Sequence, residues 1–301
     1  MGWPGEACGG SIFGLKRPDF RLGVGVAGGR MLVGEGAGMK KTVLITGAST
    51  GIGEAAARRF ALAGWNVAAT MRVPGKSALA GETIACIPLD VTDEISIRSA
   101  IDATITRFGR IDVVVNNAGY AVCGPFEGAT TEQIERQFET NVFGLMSVTR
   151  AVLPHFREQR GGTIVNVSSI GGLLTFPLFS LYHATKWAVE GFSEGLHYEV
   201  EPFGIRVKLV EPGAVNTDFY NRSMDVSSSP PYDAMMKIGK PKLDAAGRGG
   251  VTPERVAETI FRAANDGRAR LRYPVNAGLL ALRKFVPESL YFALIKRAIL
   301  R

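Results

Sequence analysis

Beyond Met39, seven runs rich in valine, isoleucine or leucine, at 41–46, 66–71, 84–89, 111–116, 163–168, 205–210 and 270–273, alternate with segments of helical length. Strands that are apolar from end to end are buried on both faces, and such strands belong to parallel sheets covered by helices on each side. Helices are expected at 54–63, ending at Gly64, and at 131–157, interrupted near Pro154. Two more are expected at 180–200, stopping before Pro202, and at 253–265, with Thr252 as cap and Pro253 in the first turn. Between 214 and 251 the chain turns to Asn, Ser, Pro, Gly and Lys. This stretch follows a strand whose C-terminal end should face a ligand, so it reads as a long loop acting as a substrate lid.

A hydrophobic content of 46% against 21% charged residues excludes a disordered or fibrous chain, and 301 residues fit one α/β domain. Cys8, Cys86 and Cys123 are too few and too scattered for a disulfide framework or a zinc site, so no metal is expected and a reducing compartment fits. There is no run of transmembrane length and no basic-then-apolar leader, which points to a cytoplasmic protein. The net charge of +7 raises nucleic acid as a partner. Yet from Arg268 onward eight bases face one acid, Glu288, which accounts for the whole excess, and no basic stretch is interleaved with aromatics elsewhere. Nucleic acid is not expected. Residues 1–38 are rich in glycine without sustained periodicity and read as an unstructured extension, while Met39 opens naturally into the first strand. The native start is therefore expected at Met39 or Met31.

Two glycine patterns compete for a phosphate-binding role. Gly23-Val-Gly25-Val-Ala-Gly28 matches a dinucleotide fingerprint in its letters, but no strand precedes it and no helix follows. Thr46-Gly47-Ala48-Ser49-Thr50-Gly51-Ile52-Gly53 instead joins the strand Lys-Thr-Val-Leu-Ile to the helix Glu-Ala-Ala-Ala-Arg-Arg-Phe. There the chain must turn sharply, let its backbone approach a pyrophosphate, and pack helix tightly on strand. A diphosphate meets free amides at the helix N-terminus, with Gly47, Ser49, Thr50, Gly51, Ile52 and Gly53 as contacts. The expected fold is α/β, a Rossmann-type doubly wound parallel sheet of seven strands in three layers, as one domain. After the second strand Ala69-Thr70-Met71-Arg72 offers an arginine where an NAD enzyme usually carries an acid. Guanidinium pairs with a 2′-phosphate, which favours NADP(H) over NAD(H).

Tyr182 and Lys186 lie four apart in a helical segment and so share one face. A phenol titrates near pH ~10 in water, and a neighbouring ammonium moves it toward the working range. With Asn116-Asn117-Ala118-Gly119, Asn141 in Thr-Asn-Val-Phe-Gly, Ser169 thirteen residues before Tyr182, and Pro212-Gly213 followed by Thr217, residues 40–275 resemble the short-chain dehydrogenase/reductase family. The resemblance implies that Tyr182 is the general acid or base and that Ser169, rather than Ser168, steadies the carbonyl oxygen. It implies that Lys186 tunes the tyrosine and holds the nicotinamide ribose, with Asn141 placing a water that passes protons to the lysine. It also implies that Asp90 and Val91, with Asn117, Ala118 and Gly119, line the adenosine side, and that Pro212, Gly213, Val215 and Thr217 line the carboxamide side.

Within that family the segments around Tyr182 look most like bacterial relatives of hydroxysteroid and retinol dehydrogenases, which implies a small lipophilic alcohol or ketone. The expected pocket holds Ser169, Leu174, Phe176 and Phe219, with Leu173, Phe179 and Tyr220 at its rim. His155, His183 and His197 are not grouped with other metal ligands, and a core or helix-surface role is expected for them. The basic tail 275–301 has three readings: a helix over the substrate mouth or a subunit contact, an amphipathic helix on a membrane surface, or a frayed end. The resemblance further implies a homodimer or homotetramer. Two rival functions are a catalytically silent NADP-binding sensor and a sugar-nucleotide epimerase, the latter needing more chain after 210 than is present.

Overall fold

The computed structural model describes residues 39–79, 81–219 and 223–301. The extension, its glycine pattern, Cys8 and Tyr220 lie outside the described residues. Seven strands form one parallel sheet: β1 Thr42–Ile45, β2 Asn66–Met71, β3 Ile84–Pro88, β4 Val113–Asn116, β6 Gly162–Val167, β7 Ile205–Pro212 and β9 Arg272–Val275. Their order is β3-β2-β1-β4-β6-β7-β9, and every pair is parallel. The order reverses beside β1, so the crevice outside the C-terminal ends of β1 and β4 is the topological switch point.

Helices cover both faces. α1 Gly51–Leu62 and α7 Pro253–Asn265 bury Phe60, Ala56, Val256 and Ile260 against Val43, Ile45 and Val115. On the other face α2 Glu94–Phe108, α4 Gly144–Glu158 and α5 Ser180–Val200 bury Ile97, Val152, Phe156 and Leu196 against Leu44, Val114 and Ile164. Side chains alternate across each strand, so Val43 and Ile45 feed one core and Leu44 the other. A separate parallel pair, β5 Ala121–Cys123 with β8 Met224–Val226, stands beside the main sheet.

Three expectations need correction. The helix break expected near Pro154 lies at Glu139–Phe143, a π-helical turn between α3 Thr131–Phe138 and α4. Pro154 sits inside α4 without ending it; the bond it forgoes would go to the carbonyl of Arg150, on an exposed turn where water can serve. The stretch 214–251 is no continuous loop. It contains β8 and α6, Asp233–Arg248, a helix that carries Pro241 and is held because Leu243 and Met236 pack with Leu178, Phe179 and Ile299. The last strand begins two residues later than expected, at Arg272. The tail forms α8 Gly278–Phe285 and α9 Glu288–Leu300. Among the described residues no helix is long and apolar enough to cross a membrane.

Candidate active site

The glycine loop between β1 and α1 is braced from the neighbouring strand. Thr46 Oγ1 accepts from the backbone amides of Asn117 and Ala118, at 3.0 Å each, and Asn117 Nδ2 donates to the carbonyls of Thr46 at 2.9 Å and Gly47 at 3.1 Å. Gly47 has φ +66°, and a Cβ there would stand 2.9 Å from Ala118 Cα. At Gly53 a Cβ would meet the Gly47 carbonyl oxygen at 2.3 Å, so this residue seats α1 on the loop. Gly53, expected among the cofactor contacts, is absent from the cavity lining and faces the Gly47 carbonyl and Asn117 Nδ2. The Thr50 side chain makes no bond to the first turn of α1, and a Cβ on Gly51 would come no nearer than 3.5 Å to Thr217 Cγ2. Open amides at a helix start and an uncrowded backbone fit an anionic diphosphate.

A cavity of about 1270 Å³ runs from this loop along the ends of the strands. That exceeds the ~300–1,000 Å³ usual for one small ligand and leaves room for a dinucleotide and a substrate. It is lined by Gly47, Ser49, Thr50, Gly51 and Ile52, by Arg72 at the end of β2, and by Asp90 and Val91 after β3. Asn117, Ala118 and Gly119 follow, then Ser169, Tyr182 and Lys186, then Pro212, Gly213, Val215 and Thr217. Asp90 Oδ1 also accepts from Thr92 N at 3.0 Å and Thr92 Oγ1 at 2.8 Å, so the carboxylate closes its own turn, and Thr92 joins the lining unforeseen.

Ser169 caps the short turn after β6, where its Oγ accepts from Gly171 N at 3.0 Å and donates to the Pro212 carbonyl at 3.4 Å. Ser168 also reaches the cavity wall, but its Oγ is buried toward the rear: a Cβ on Gly172 would lie 2.9 Å from both this oxygen and Glu190 Cγ. One turn of α5 separates Tyr182 from Lys186, whose Nζ lies 5.7 Å from the tyrosine ring centroid and donates to Val167 O at 2.9 Å. Burial pulls the Lys186 ammonium down to about 8, a shift that the Glu190 charge opposes.

Asn141, inside the π-helical turn, is a clamp. Its Oδ1 accepts from Tyr120 N at 3.0 Å, and its Nδ2 donates to Tyr120 O at 2.8 Å and Thr185 Oγ1 at 3.1 Å. The side chain is buried and does not line the cavity. A Cβ on Gly119 would stand 3.1 Å from Asn141 Oδ1 and 3.9 Å from Lys186 Nζ, so the bare glycine lets both come close. His183 ties the loop before α5: Nε2 accepts from Phe176 N at 2.8 Å, which leaves the proton on Nδ1 to donate to Gly171 O at 2.8 Å. Burial lowers its proton affinity and keeps it neutral.

Behind Lys186 lies a group of charges that the motifs did not reveal. Arg272 Nε donates to Glu190 Oε2 at 3.0 Å and lies 3.6 Å from Glu211 Oε1, while its Nη2 reaches Glu194 at 2.6 Å. Glu211 is 0% exposed, and burial, then the Glu190 charge, push its carboxyl up to about 8. The available signal was Glu211 itself, a glutamate placed directly after the apolar strand run at 205–210.

Past Tyr182 the cavity is lined by Phe176, Phe179 and Phe219, and the tyrosine ring stands edge-on to the last two at 5.9 Å and 6.3 Å. Leu174, expected in this pocket, is fully buried outside it, because it packs with Ile170, Tyr291 and Ile295 under α9. Leu173 also stays off the lining; its carbonyl accepts from Arg283 Nη1 at 3.1 Å. Leu243 of α6 with Ile295 and Ile299 of α9 complete the apolar wall, and sequence patterning did not bring these distant segments together.

Residues 41–226 match the family model described as short chain dehydrogenase. The chain is 39% identical to the uncharacterized oxidoreductase YusZ of Bacillus subtilis, covering 86% of this chain and 98% of that protein. It is 34% identical to retinol dehydrogenase 8 of Bos taurus, over 83% and 88% of the two chains. A short-chain dehydrogenase structure from Streptomyces avermitilis superposes with a TM-score of 0.75 at 36% identity, covering 86% and 96%. ElxO with NADP bound gives 0.68 at 30% identity, covering 81% and 100%. The 3-ketoacyl-(acyl-carrier-protein) reductase of Brucella melitensis complexed with NADH gives 0.66 at 28%, covering 78% and 96%.

Proposed function

This chain belongs to the short-chain dehydrogenase family, and from that premise we propose that it is an NADP-dependent oxidoreductase interconverting a lipophilic secondary alcohol and its ketone, or an aldehyde. One observation carries the reading: Ser169, Tyr182 and Lys186 share one wall of the cavity that begins at the glycine loop. Gly47, Gly51 and the opening turn of α1 would hold the diphosphate, and Arg72 a 2′-phosphate. A reduced nicotinamide, when bound, supplies hydride to the substrate carbonyl.

Ser169 turns its hydroxyl from the long 3.4 Å contact with Pro212 O to donate to the substrate carbonyl oxygen, and the Tyr182 phenol passes its proton there as negative charge develops. The Lys186 ammonium, held by Val167 O, favours the phenolate that results and so lowers the barrier to proton release. Because the Asn141 side chain is occupied by Tyr120 and Thr185, a water passing protons to Lys186 would bind its backbone carbonyl. The wall formed by Phe176, Phe179, Phe219, Leu243 and Ile299 supports an apolar substrate, as does the likeness to a retinol dehydrogenase. Exposed Phe143, Trp187 and Tyr198 on the α4 and α5 side support assembly as a homodimer or homotetramer.

The test is the loss of nicotinamide absorbance with NADPH and with NADH over a panel of lipophilic ketones and aldehydes. Turnover should fall about a hundredfold to ten-thousandfold in Tyr182→Phe. Arg72→Ala should raise KM for NADPH by about tenfold to a hundredfold and leave that for NADH nearly unchanged. Full activity in Tyr182→Phe would overturn the mechanism, and an unaltered NADPH KM in Arg72→Ala would overturn the cofactor assignment.

A further inference from the structure

The cavity beyond Tyr182 opens among helices that share an unusual surface. α6 contributes Leu243 and Ala246 to its wall, and α9 contributes Ile295 and Ile299. The two helices approach closely at Gly239, where a Cβ would stand 3.1 Å from Leu300 Cδ2. Their outward faces and that of α8 carry large apolar side chains in water: Phe285 is 86% exposed, Leu290 and Phe292 are each 47% exposed, and Ile238, Leu294 and Met235 follow. With Arg301 just past α9, these three helices carry nine bases against three acids. Among the described residues Lys237, Lys296, Arg297 and Arg301 pair with no carboxylate.

Apolar side chains interspersed with unpaired cations suit one kind of partner. Headgroups of anionic lipid attract the cations while the acyl boundary takes up the apolar groups. A second copy meeting this surface face to face would set like charges against each other. We propose that the outward faces of α6, α8 and α9 dock on an anionic phospholipid bilayer, so that a lipophilic substrate passes from the lipid phase into the cavity beside Tyr182. The delivery part of this inference rests on the lipophilic alcohol or ketone read above; the docking itself does not.

Co-sedimentation of the full chain, without cofactor or substrate, with vesicles of phosphatidylcholine mixed with phosphatidylserine, and with phosphatidylcholine alone, tests it. Binding to the mixed vesicles, weakened by salt and absent on the neutral ones, is expected. The pairs Leu290→Ser with Leu294→Ser, and Lys296→Gln with Arg297→Gln, should each lower partitioning about tenfold or more. Their melting temperature and turnover of a water-soluble ketone should stay at the parent level. Failure to bind the mixed vesicles, or variants that bind as the parent does, would overturn docking. So would a variant that breaks an oligomer while vesicle binding is unaffected, since the surface would then serve self-assembly. Vesicle binding in a chain that reduces nothing would sink the proposed activity and leave the docking surface standing.

Discussion

Glu211 and Lys186 are buried groups of opposite charge type whose proton affinities meet near pH 8 from opposite sides. In the unfolded chain Glu211 ionises from its ordinary 4.5, whereas in the fold it keeps its proton to about 8. Between those values the folded state binds the extra proton, so this group makes stability fall as pH rises, by at most about 1.4 kcal/mol per pH unit. Lys186 acts in the next window. Its proton is lost near 8 in the fold but near 10.5 when unfolded, so the unfolded state binds the extra proton there and stability rises with pH. Glu211→Gln removes the first limb alone. Denaturant titrations at a series of pH values should show the parent losing stability relative to this variant between about pH 5 and pH 8, with a constant gap above that. A gap that stays constant throughout would mean that Glu211 is already ionised in the fold. None of this was legible from the catalytic spacing, which placed Tyr182 and Lys186 together but gave no sign of the carboxyls behind them. Electrostatic pairing across β7, α5 and β9 depends on register, and a single sequence does not contain it.

The elements divide by how local their causes are. Strands such as β2 and β4 were readable because both faces are buried and, apart from one terminal asparagine in each, the residues are apolar or small. The helix α2 was missed: Ile95, Ile97, Ile101 and Ile105, with Thr104 and Thr106, resemble strand composition, and the decision rests with Asp93, whose side chain caps Ile95 and Ser96. β5 and β8 are short and pair across about a hundred residues of sequence, which no local pattern announces. The π-helical turn was also invisible, yet it aims Asn141 at two other segments. Asn141→Ala should leave the Tyr120 amide, the Tyr120 carbonyl and the Thr185 hydroxyl without this partner, at a combined cost of about 3 kcal/mol. Chemical denaturation measures that loss. A change under about 0.5 kcal/mol, the scatter of ordinary surface substitutions, would show that the clamp is replaceable.

At the scale of the whole molecule the tail is built into the body. Tyr291 and Ile295 of α9 cover Ile170 and Leu174, the residues that back the Ser169 turn. Deleting 288–301 should therefore expose that cluster and lower the melting temperature by on the order of 10 °C. Calorimetry decides it, and an unchanged transition would make α9 an appendage. The sequence left this tail with several readings because its apolar residues have no period that names their partner; Ile295 and Leu174 meet only after the entire sheet is in place. The strand order also sets a timetable for folding. β1, β2, β3 and β4 are complete by Asn116, so a chain growing from its N-terminus can assemble the glycine loop and its bracing threonine first. Phe176 and Phe179 of the aromatic wall follow about sixty residues later and Phe219 and the α9 cover more than a hundred, and until β6 is made the half-built sheet has β4 as an open edge. A chain growing from its N-terminus thus passes through a stage that holds the phosphate cradle but no substrate chamber, with one strand edge still unpaired.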